Sequence, residues 1–219
     1  LNNLLKYYQE RQFANAEKLA FSITKEYPDH QFAWKVLGAI SEKLGRKEES
    51  LIANKKAVDL TPNDHEAHNN LGNSYRKLGL LEDAIESYNK AISIKTDYPE
   101  VLYNLANTFT DLDQFDEAKA NYNKAISLNA SYFKAYNNLG FLLAKIKDLD
   151  GAIESFKKAI EIKKDYLEAH HNLGKALREL GRLEEAIGSY NKAINIKADY
   201  SEVHNDLGIA LKEIGRPIE

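Results

Sequence analysis

The 219-residue sequence contains no cysteine and no methionine. The absence of cysteine excludes disulfides, thiolate zinc sites and cysteine nucleophiles. Because methionine is missing even at the first position, we expect the chain to be a piece of a longer protein. No segment approaches the roughly 18 apolar residues of a membrane-spanning helix, and no basic-then-apolar start resembles a signal peptide. We therefore expect no membrane partner and a cytoplasmic location.

Neither sign of charge is in large excess. The chain has 30 Lys and Arg residues against 33 Asp and Glu residues, which gives a net charge of −3. Nucleic-acid binding ordinarily needs a basic stripe or patch. The charge balance therefore argues against nucleic acid as a partner.

A motif that recurs every 34 residues dominates the sequence. The tetrapeptide at residues 69–72 (NNLG) returns at residues 137–140, and a close variant stands between them at residues 103–106. Small and apolar residues in each repeat follow helical spacing in two successive stretches, so each repeat is predicted to be a pair of helices. The predicted boundaries are 1–30 for a partial N-terminal repeat, 31–64, 65–98, 99–132, 133–166 and 167–200 for complete repeats, and 201–219 for a truncated repeat with a first helix only.

Nine of the eleven glycines occupy two places in this frame. One place is the turn between the helices, where a left-handed residue usually follows a helix end. The other is the middle of the first helix, where Gly costs about 1 kcal/mol relative to Ala. We infer that the two helices approach closely there, with the glycine facing a small residue such as Ala84 and Tyr88 filling the space beside it. The turn glycines are Gly45, Gly79, Gly181 and Gly215, and the helix glycines are Gly38, Gly72, Gly140, Gly174 and Gly208.

The frame resembles the tetratricopeptide repeat (TPR), which places Leu seventh, Gly or Ala eighth, a bulky residue eleventh, Ala twentieth, an aromatic residue twenty-fourth and Pro thirty-second. The first complete repeat departs from this pattern at Ser41, Ser50 and Asn54, so we expect a looser hairpin there. Later repeats lack the proline, and their second helices are expected to run further. The resemblance implies an all-α, right-handed solenoid of antiparallel helix pairs with about six and a half repeats, its first helices lining a concave groove.

The resemblance also implies which positions face that groove. The sixth position of four successive repeats holds Asn, and an Asn amide offers two donors and one acceptor for a peptide backbone. The array is similar to those of bacterial TPR–transferase proteins and of O-linked N-acetylglucosamine transferase, in which such an Asn ladder holds peptide. The alternative is that these Asn residues only pack or solvate the groove. The predicted peptide-binding residues are Asn70, Asn104, Asn138 and Asn172 of the ladder, with Asn69, Asn73, Tyr103, Asn107, Asn137, Phe141, His171 and Lys175 at neighbouring groove positions.

Tyr103 and Phe141 belong to adjacent repeats and are predicted to form an aromatic anchor, because aromatic side chains in partly exposed grooves are frequent binding hot spots. His171 is expected to face the groove with no partner at metal-ligand spacing. The pair His65 and His68 is one residue short of the metalloprotease helix motif. We therefore expect no enzyme activity, no metal and no cofactor.

The sequence predicts a module that binds an extended peptide or protein segment in its groove. Two alternatives stay open at this point. The chain is the non-catalytic, substrate-recruiting arm of a larger transferase, or it is an assembly scaffold that associates with itself. The last repeat ends before its second helix, which leaves Leu211 and its apolar neighbours uncovered. We expect either self-association through this end or a continuation of the chain, which Arg216 and Pro217 would begin.

Overall fold

The structure is a computed structural model that describes residues 2–215. Within these residues it consists of α-helices joined by short turns, without strands. The helices are α1 (Asn2–Gln9), α2 (Phe13–Glu26), α3 (Gln31–Lys43), α4 (Lys47–Leu60), α5 (His65–Lys77), α6 (Leu81–Ile94), α7 (Pro99–Asp111), α8 (Phe115–Leu128), α9 (Phe133–Lys145), α10 (Leu149–Ile162), α11 (Leu167–Glu179), α12 (Leu183–Ile196) and α13 (Ser201–Glu213).

The chain divides into two compact units, Leu1–Leu112 and Asp113–Glu219. In the first unit α3 packs against α4 and α5 against α6, and each pair also contacts the helix that follows it. In the second unit α9 packs against α10 and α11 against α12, and α13 packs on α12. The predicted partial repeat at residues 1–30 contains a helix pair of its own, α1 and α2.

Neighbouring repeats supply each other with a core. Ala84, Tyr88 and Ala91 of α6 form one buried cluster with Val101 and Leu105 of α7, the first helix of the next repeat. A single helix pair has only one other helix against which to bury its apolar residues, so stacking supplies the remaining contacts.

The turn between the helices of each pair contains one left-handed residue. Gly79 has φ of +78° and Gly181 has φ of +73°, as the sequence predicts. Where the glycine is missing, the residue at the same place still adopts this conformation: φ is +58° at Arg11, +57° at Asp113 and +66° at Lys147. A side chain in this region costs roughly 1–2 kcal/mol, so the tertiary structure imposes the turn on these three residues.

The glycine in the middle of the first helix is required by an aromatic ring. A Cβ atom on Gly72 would lie 2.6 Å from Cε1 of Tyr88, and one on Gly140 would lie 2.7 Å from Cε1 of Phe156. The predicted close approach is therefore present, but the ring at the twenty-fourth position causes it. A small residue adds to it at Gly140, where the Ala152 carbonyl oxygen is 3.1 Å away.

Buried hydrogen bonds replace this ring packing in the repeat that departs from the TPR pattern. Asn54 takes the place of the ring and is fully buried. Its Nδ2 donates to Oγ of Ser74 at 2.8 Å, and Oγ of Ser50 donates to the Gly38 carbonyl at 3.0 Å. The α3–α4 pair is thus joined to α5 by polar contacts.

The second helices end at the thirtieth position whether or not proline follows. The expectation of longer helices in repeats without proline is therefore wrong: α6, α10 and α12 end at Ile94, Ile162 and Ile196. The residue after each of these helices is extended, as at Lys163 with φ of −129° and ψ of +94°. Extended backbone at this point cannot continue a helix, so proline is not needed to stop it.

A side-chain hydrogen bond holds the connection that follows each of four second helices. The fourth residue of the next repeat donates a ring N–H to the backbone carbonyl of the thirty-second position. Nε2 of His170 donates to the Lys164 carbonyl at 2.9 Å, although Lys164 stands where the family has proline. The other three donor and acceptor pairs are Trp34 and Pro28, His68 and Pro62, and His204 and Ala198.

Candidate functional site

Two of the four ladder residues are hydrogen bonded to the repeat before them. In the first unit Nδ2 of Asn104 donates to Oδ1 of Asn69 at 3.0 Å. In the second unit Nδ2 of Asn172 donates to Oδ1 of Asn137 at 3.2 Å. In both cases a sixth-position side chain meets the fifth-position side chain of the preceding repeat, 35 residues earlier in the chain.

A third pair joins the same two positions, the fifth of one repeat and the sixth of the next, but here the residues are a histidine and an aspartate. Nε2 of His171 donates to Oδ2 of Asp206 at 2.7 Å. The His171 ring also stands edge-on to Tyr200, with 5.6 Å between ring centroids. The sequence predicts that His171 has no partner at metal-ligand spacing, and its hydrogen bond to this one carboxylate does not contradict that prediction. The 35-residue offset between fifth and sixth positions would have identified Asp206 as its partner.

Several predicted site residues lie beneath the surface. Their exposed fractions are between 6% and 8%, too little to present a side chain to a ligand. The hydrogen bonds of Asn69 and Asn137 instead fix the orientation of the more accessible ladder residues Asn104, Asn138 and Asn172. That these residues bind peptide therefore stays a prediction. We expect them to affect a ligand only by orienting the neighbouring side chains. They are Asn69, Asn107, Asn137 and His171.

Three predicted residues come together around one cavity in the second unit. Phe141, Asn172 and Lys175 line a cavity of about 210 Å³ between α9 and α11. Phe141 is 53% exposed. The cavity volume is comparable to that of one bulky side chain. Phe141 forms an apolar wall of this cavity, and Asn172 places an amide group beside it.

The charge around this cavity is not balanced within the chain. Nζ of Lys145 lies 2.5 Å from Oδ1 of Asp113, and Nζ of Lys147 lies 2.6 Å from Oε1 of Glu179. No carboxylate of the residues that the structure describes pairs with Lys175, whose side chain is exposed. One positive charge is therefore available beside the cavity.

The first unit has a smaller cavity that also contains a ladder residue. Asn70 lines a cavity of about 160 Å³ together with Leu5, Phe32 and Ala39. Among the described residues none is hydrogen bonded to the Asn70 side chain, so its NH₂ group and its carbonyl oxygen are both available to a ligand.

Lys35, at the edge of the same cavity, is neutralised by its neighbours. Its Nζ lies 2.9 Å from Oδ2 of Asp64 and 2.6 Å from Oε2 of Glu66. Burial disfavours its charged form, but the two carboxylates outweigh burial and raise the pKa of Lys35. Burial also opposes ionisation of Asp64, but its contacts with Lys35 and the Ala67 amide outweigh burial and lower the Asp64 pKa. This cavity consequently combines an amide with apolar walls and little free charge.

The remaining predicted residues are placed separately. Oδ1 of Asn73 accepts a 2.7 Å hydrogen bond from the hydroxyl of Tyr88. Tyr103 is half-buried in the first unit, whereas Phe141 belongs to the second, so their joint role as an anchor stays a prediction. Asn138 accepts from Nδ2 of Asn137 at 3.1 Å.

Metal clusters and membrane-spanning helices are two further features considered within residues 2–215. No group of three or more His, Asp and Glu side chains in this range is arranged to hold a metal ion. None of the helices in this range has the length and apolar character needed to cross a membrane. On α13, Leu211 is half-buried, and Arg216 and Pro217 lie outside the described residues, so association through this end stays a prediction.

Sequence profiles of one family match nearly the whole described chain. A profile described as TPR repeat matches residues 72–113, 106–147, 145–179 and 174–215. Two profiles described as tetratricopeptide repeat match residues 53–86 and residues 4–65. Matches therefore extend from residue 4 to residue 215. No match was found among curated protein sequences.

Solved structures with the same fold include several TPR proteins. A crystal structure of MamA shares 30% sequence identity and a TM-score of 0.67, covering 76% of this chain and 97% of MamA. YrrB, described as a TPR protein with an unusual peptide-binding site, shares 22% identity and a TM-score of 0.64, covering 87% and 98% of the two chains. The thermophilic TPR protein TTC0263 of Thermus thermophilus shares 23% identity and a TM-score of 0.68, covering 83% and 99%. Together with the helix pairs, these matches confirm the predicted all-α TPR solenoid class.

Proposed function

The chain belongs to the tetratricopeptide repeat family, and from this premise we propose that it binds an extended peptide segment along the face that carries the Asn ladder. One observation carries the proposal: in each unit a ladder residue, Asn70 or Asn172, stands beside an apolar cavity. An amide next to an apolar pocket suits a peptide, which presents backbone polar groups and side chains alternately. The peptide-binding site for which YrrB is described supports the same class of ligand.

The ladder amides retain groups for a ligand after their internal hydrogen bonds are counted. Asn104 uses one N–H on Asn69, which leaves a second N–H and the Oδ1 acceptor. Packed helices lie about 8–10 Å apart, and an extended peptide advances about 3.3 Å per residue. Within a unit, one ladder amide would therefore meet about every third peptide residue.

The second-unit cavity suggests a side-chain preference. Phe141 provides an apolar surface, and Lys175 provides a positive charge without an ion-pair partner in the described chain. We expect the preferred peptide to place a bulky apolar side chain in the cavity and a carboxylate near Lys175, because a charged acceptor strengthens a hydrogen bond to an ammonium group.

Substitution of Asn70 tests most directly whether the ladder contacts the peptide. Peptides would be selected from a random display library against the chain, and their affinity measured by fluorescence anisotropy. Asn70→Ala should weaken binding roughly tenfold without lowering the melting temperature, since the side chain has no hydrogen bond to lose. Asn172→Ala should also weaken binding, but it should lower stability, because it leaves the buried Oδ1 of Asn137 unpaired.

A matched control is available on a second helix. Asn191 is an exposed residue of α12, so Asn191→Ala should change neither affinity nor stability. Unchanged affinity in both Asn70→Ala and Asn172→Ala would refute the ladder as a peptide contact. Equal losses in the Asn191 variant would show that the effect is not specific to the ladder.

A further inference from the structure

The ninth position of the repeat changes character between the two units. In the first unit it holds Ala39, Asn73 and Asn107, and in the second it holds Phe141, Lys175 and Ile209. These last three residues lie on α9, α11 and α13. Phe141 is 53% exposed and Ile209 is 37% exposed, and Lys175 between them is also exposed. The second unit thus presents one charged residue between two apolar residues.

Three carboxylates on α11 and α13 are engaged with partners other than Lys175. Glu179, one turn further along α11, lies 2.6 Å from Nζ of Lys147. On α13, Asp206 is hydrogen bonded to His171, and Oε1 of Glu213 lies 3.6 Å from Nη1 of Arg178. Lys175 has no ion pair within residues 2–215, so its charge is open to a ligand.

The lysine stands where an asparagine would satisfy the protein better. In the repeat at residues 65–98, Asn73 accepts a 2.7 Å hydrogen bond from the Tyr88 hydroxyl. In the repeat at residues 167–200, Tyr190 takes the place of Tyr88, and its buried hydroxyl has no hydrogen-bond partner among the described residues. A lysine side chain offers donors only, so Lys175 cannot supply the missing acceptor. A residue that breaks a local rule of the fold is expected where function requires it.

The three residues are spaced to suit an extended chain. α9 contacts α11, and α11 contacts α13. Packed helices lie about 8–10 Å apart, so Phe141 and Ile209 are separated by roughly 16–20 Å. An extended peptide advances about 3.3 Å per residue and covers this distance in about five or six residues.

The sixth position, beside this row, favours an extended chain over a helix. Asn172 keeps one N–H and its Oδ1 after donating to Asn137, and Asp206 keeps the oxygen that does not accept from His171. A helix pairs its backbone N–H and C=O groups internally, whereas an extended chain leaves them for side chains such as these. Asn172 and Asp206 are therefore able to hold the backbone of a ligand whose side chains reach the ninth position.

We propose that the second unit selects an extended peptide that carries an acidic residue midway between two apolar residues, about six positions apart. Resting on the peptide binding proposed above, this preference names the class of peptide that the groove takes. One apolar side chain would enter the cavity beside Phe141, the other would pack on Ile209, and the carboxylate would pair with Lys175. Complementary charge of this kind discriminates among partners more than it raises affinity.

Two fluorescently labelled peptides of about 11 residues test the preference. Both have two Leu residues about six positions apart in a background of Thr and Ser, and they differ only in the central residue, Glu or Lys. Anisotropy titrations should show that the Glu peptide binds roughly tenfold more tightly, and the difference should shrink in about 1 M salt. Lys175→Glu should reverse the order of the two peptides, whereas Lys192→Glu, at an exposed residue of α12, should leave it unchanged.

Lys175→Asn separates binding from packing. It offers Tyr190 the acceptor that Asn73 gives to Tyr88, so the melting temperature should rise, while the affinity for the Glu peptide should fall roughly threefold. Altered stability with unchanged affinity would show that Lys175 affects packing alone and would overturn the proposal. Ile209→Ser should weaken both peptides alike, because it removes an apolar contact and leaves the charge in place.

The remaining outcomes are decisive in the same way. If the Glu and Lys peptides bind alike, or if Lys175→Glu does not reverse their order, the preference is overturned. A Glu peptide with Ala in place of Thr favours a helix and should bind less tightly; tighter binding would identify a helical ligand and overturn the extended one. Library-selected peptides that lose affinity in Asn70→Ala and Asn172→Ala would uphold the ladder even if the preference fails.

Discussion

Replacing Tyr190 by Phe should stabilise the protein, whereas the same change at Tyr88 should destabilise it. Both rings are fully buried and both cover a mid-helix glycine. The Tyr88 hydroxyl donates to Oδ1 of Asn73 at 2.7 Å, but the Tyr190 hydroxyl is buried and has no hydrogen-bond partner among residues 2–215. The ninth position of the two repeats differs: Asn73 supplies the acceptor that the Tyr88 hydroxyl uses, whereas Lys175 has no acceptor atom in its side chain.

The two hydroxyls have opposite expected contributions. A typical hydrogen bond contributes about 0.5–1.5 kcal/mol net, and a buried polar group left unsatisfied costs about 1–3 kcal/mol. Tyr88→Phe should therefore lower the free energy of unfolding by about 1 kcal/mol, and Tyr190→Phe should raise it by about 1 kcal/mol or more. Two repeats lie between them, and in the second of these the buried Phe156 fills the same place without a hydroxyl.

The dependence of stability on pH in the alkaline range gives a second test of Tyr190. Burial raises the pKa of Tyr190 to about 12 from an ordinary value of 10.0. Between these two values the native state binds more protons at this residue than the unfolded state, so stability falls as pH rises. Tyr190→Phe should remove that part of the alkaline loss.

The assay is guanidinium denaturation followed by far-UV circular dichroism, with the midpoints of both variants compared with that of the unmodified chain. Phe156→Tyr is the matched control, because it introduces a hydroxyl beside Phe141 and should destabilise. Equal losses in Tyr88→Phe and Tyr190→Phe would refute the reasoning, because the two hydroxyls would then contribute alike.

Two further substitutions test the backbone of the repeat. Lys147→Gly should raise the unfolding free energy by about 1 kcal/mol, because Lys147 is left-handed and its exposed ion pair with Glu179 contributes little; no gain in a thermal melt would show that the turn is not strained. Gly140→Ala should destabilise by about 1–3 kcal/mol, since the added carbon meets the Phe156 ring at 2.7 Å. Phe156→Leu in the same chain should recover part of that loss in denaturant titrations, and a Gly140→Ala variant as stable as the original would contradict this account of the glycine.

The candidate site was only partly predictable, because sequence spacing does not distinguish a side chain at the surface from one just beneath it. Positions five and six are adjacent in the chain, and the resemblance to the TPR family implies that both face the groove. The structure buries Asn69 and leaves Asn70 half-buried, and no residue of the described chain is hydrogen bonded to the Asn70 side chain. The pairing of Asn104 with Asn69 joins residues 35 positions apart, and it depends on how one repeat stacks on the next.

The sequence by itself determined the repeat, its helix pairs and the turns, because those features rest on local rules that recur every 34 residues. Helical spacing and turn glycines such as Gly79 need no distant partner to be recognised. Only the tertiary structure decided that a ring occupies the space above Gly72 and that Asp206 is hydrogen bonded to His171. Each of these depends on the volume and polarity of side chains brought together by stacking, where a single atom's position decides whether a group is packed, paired or left open.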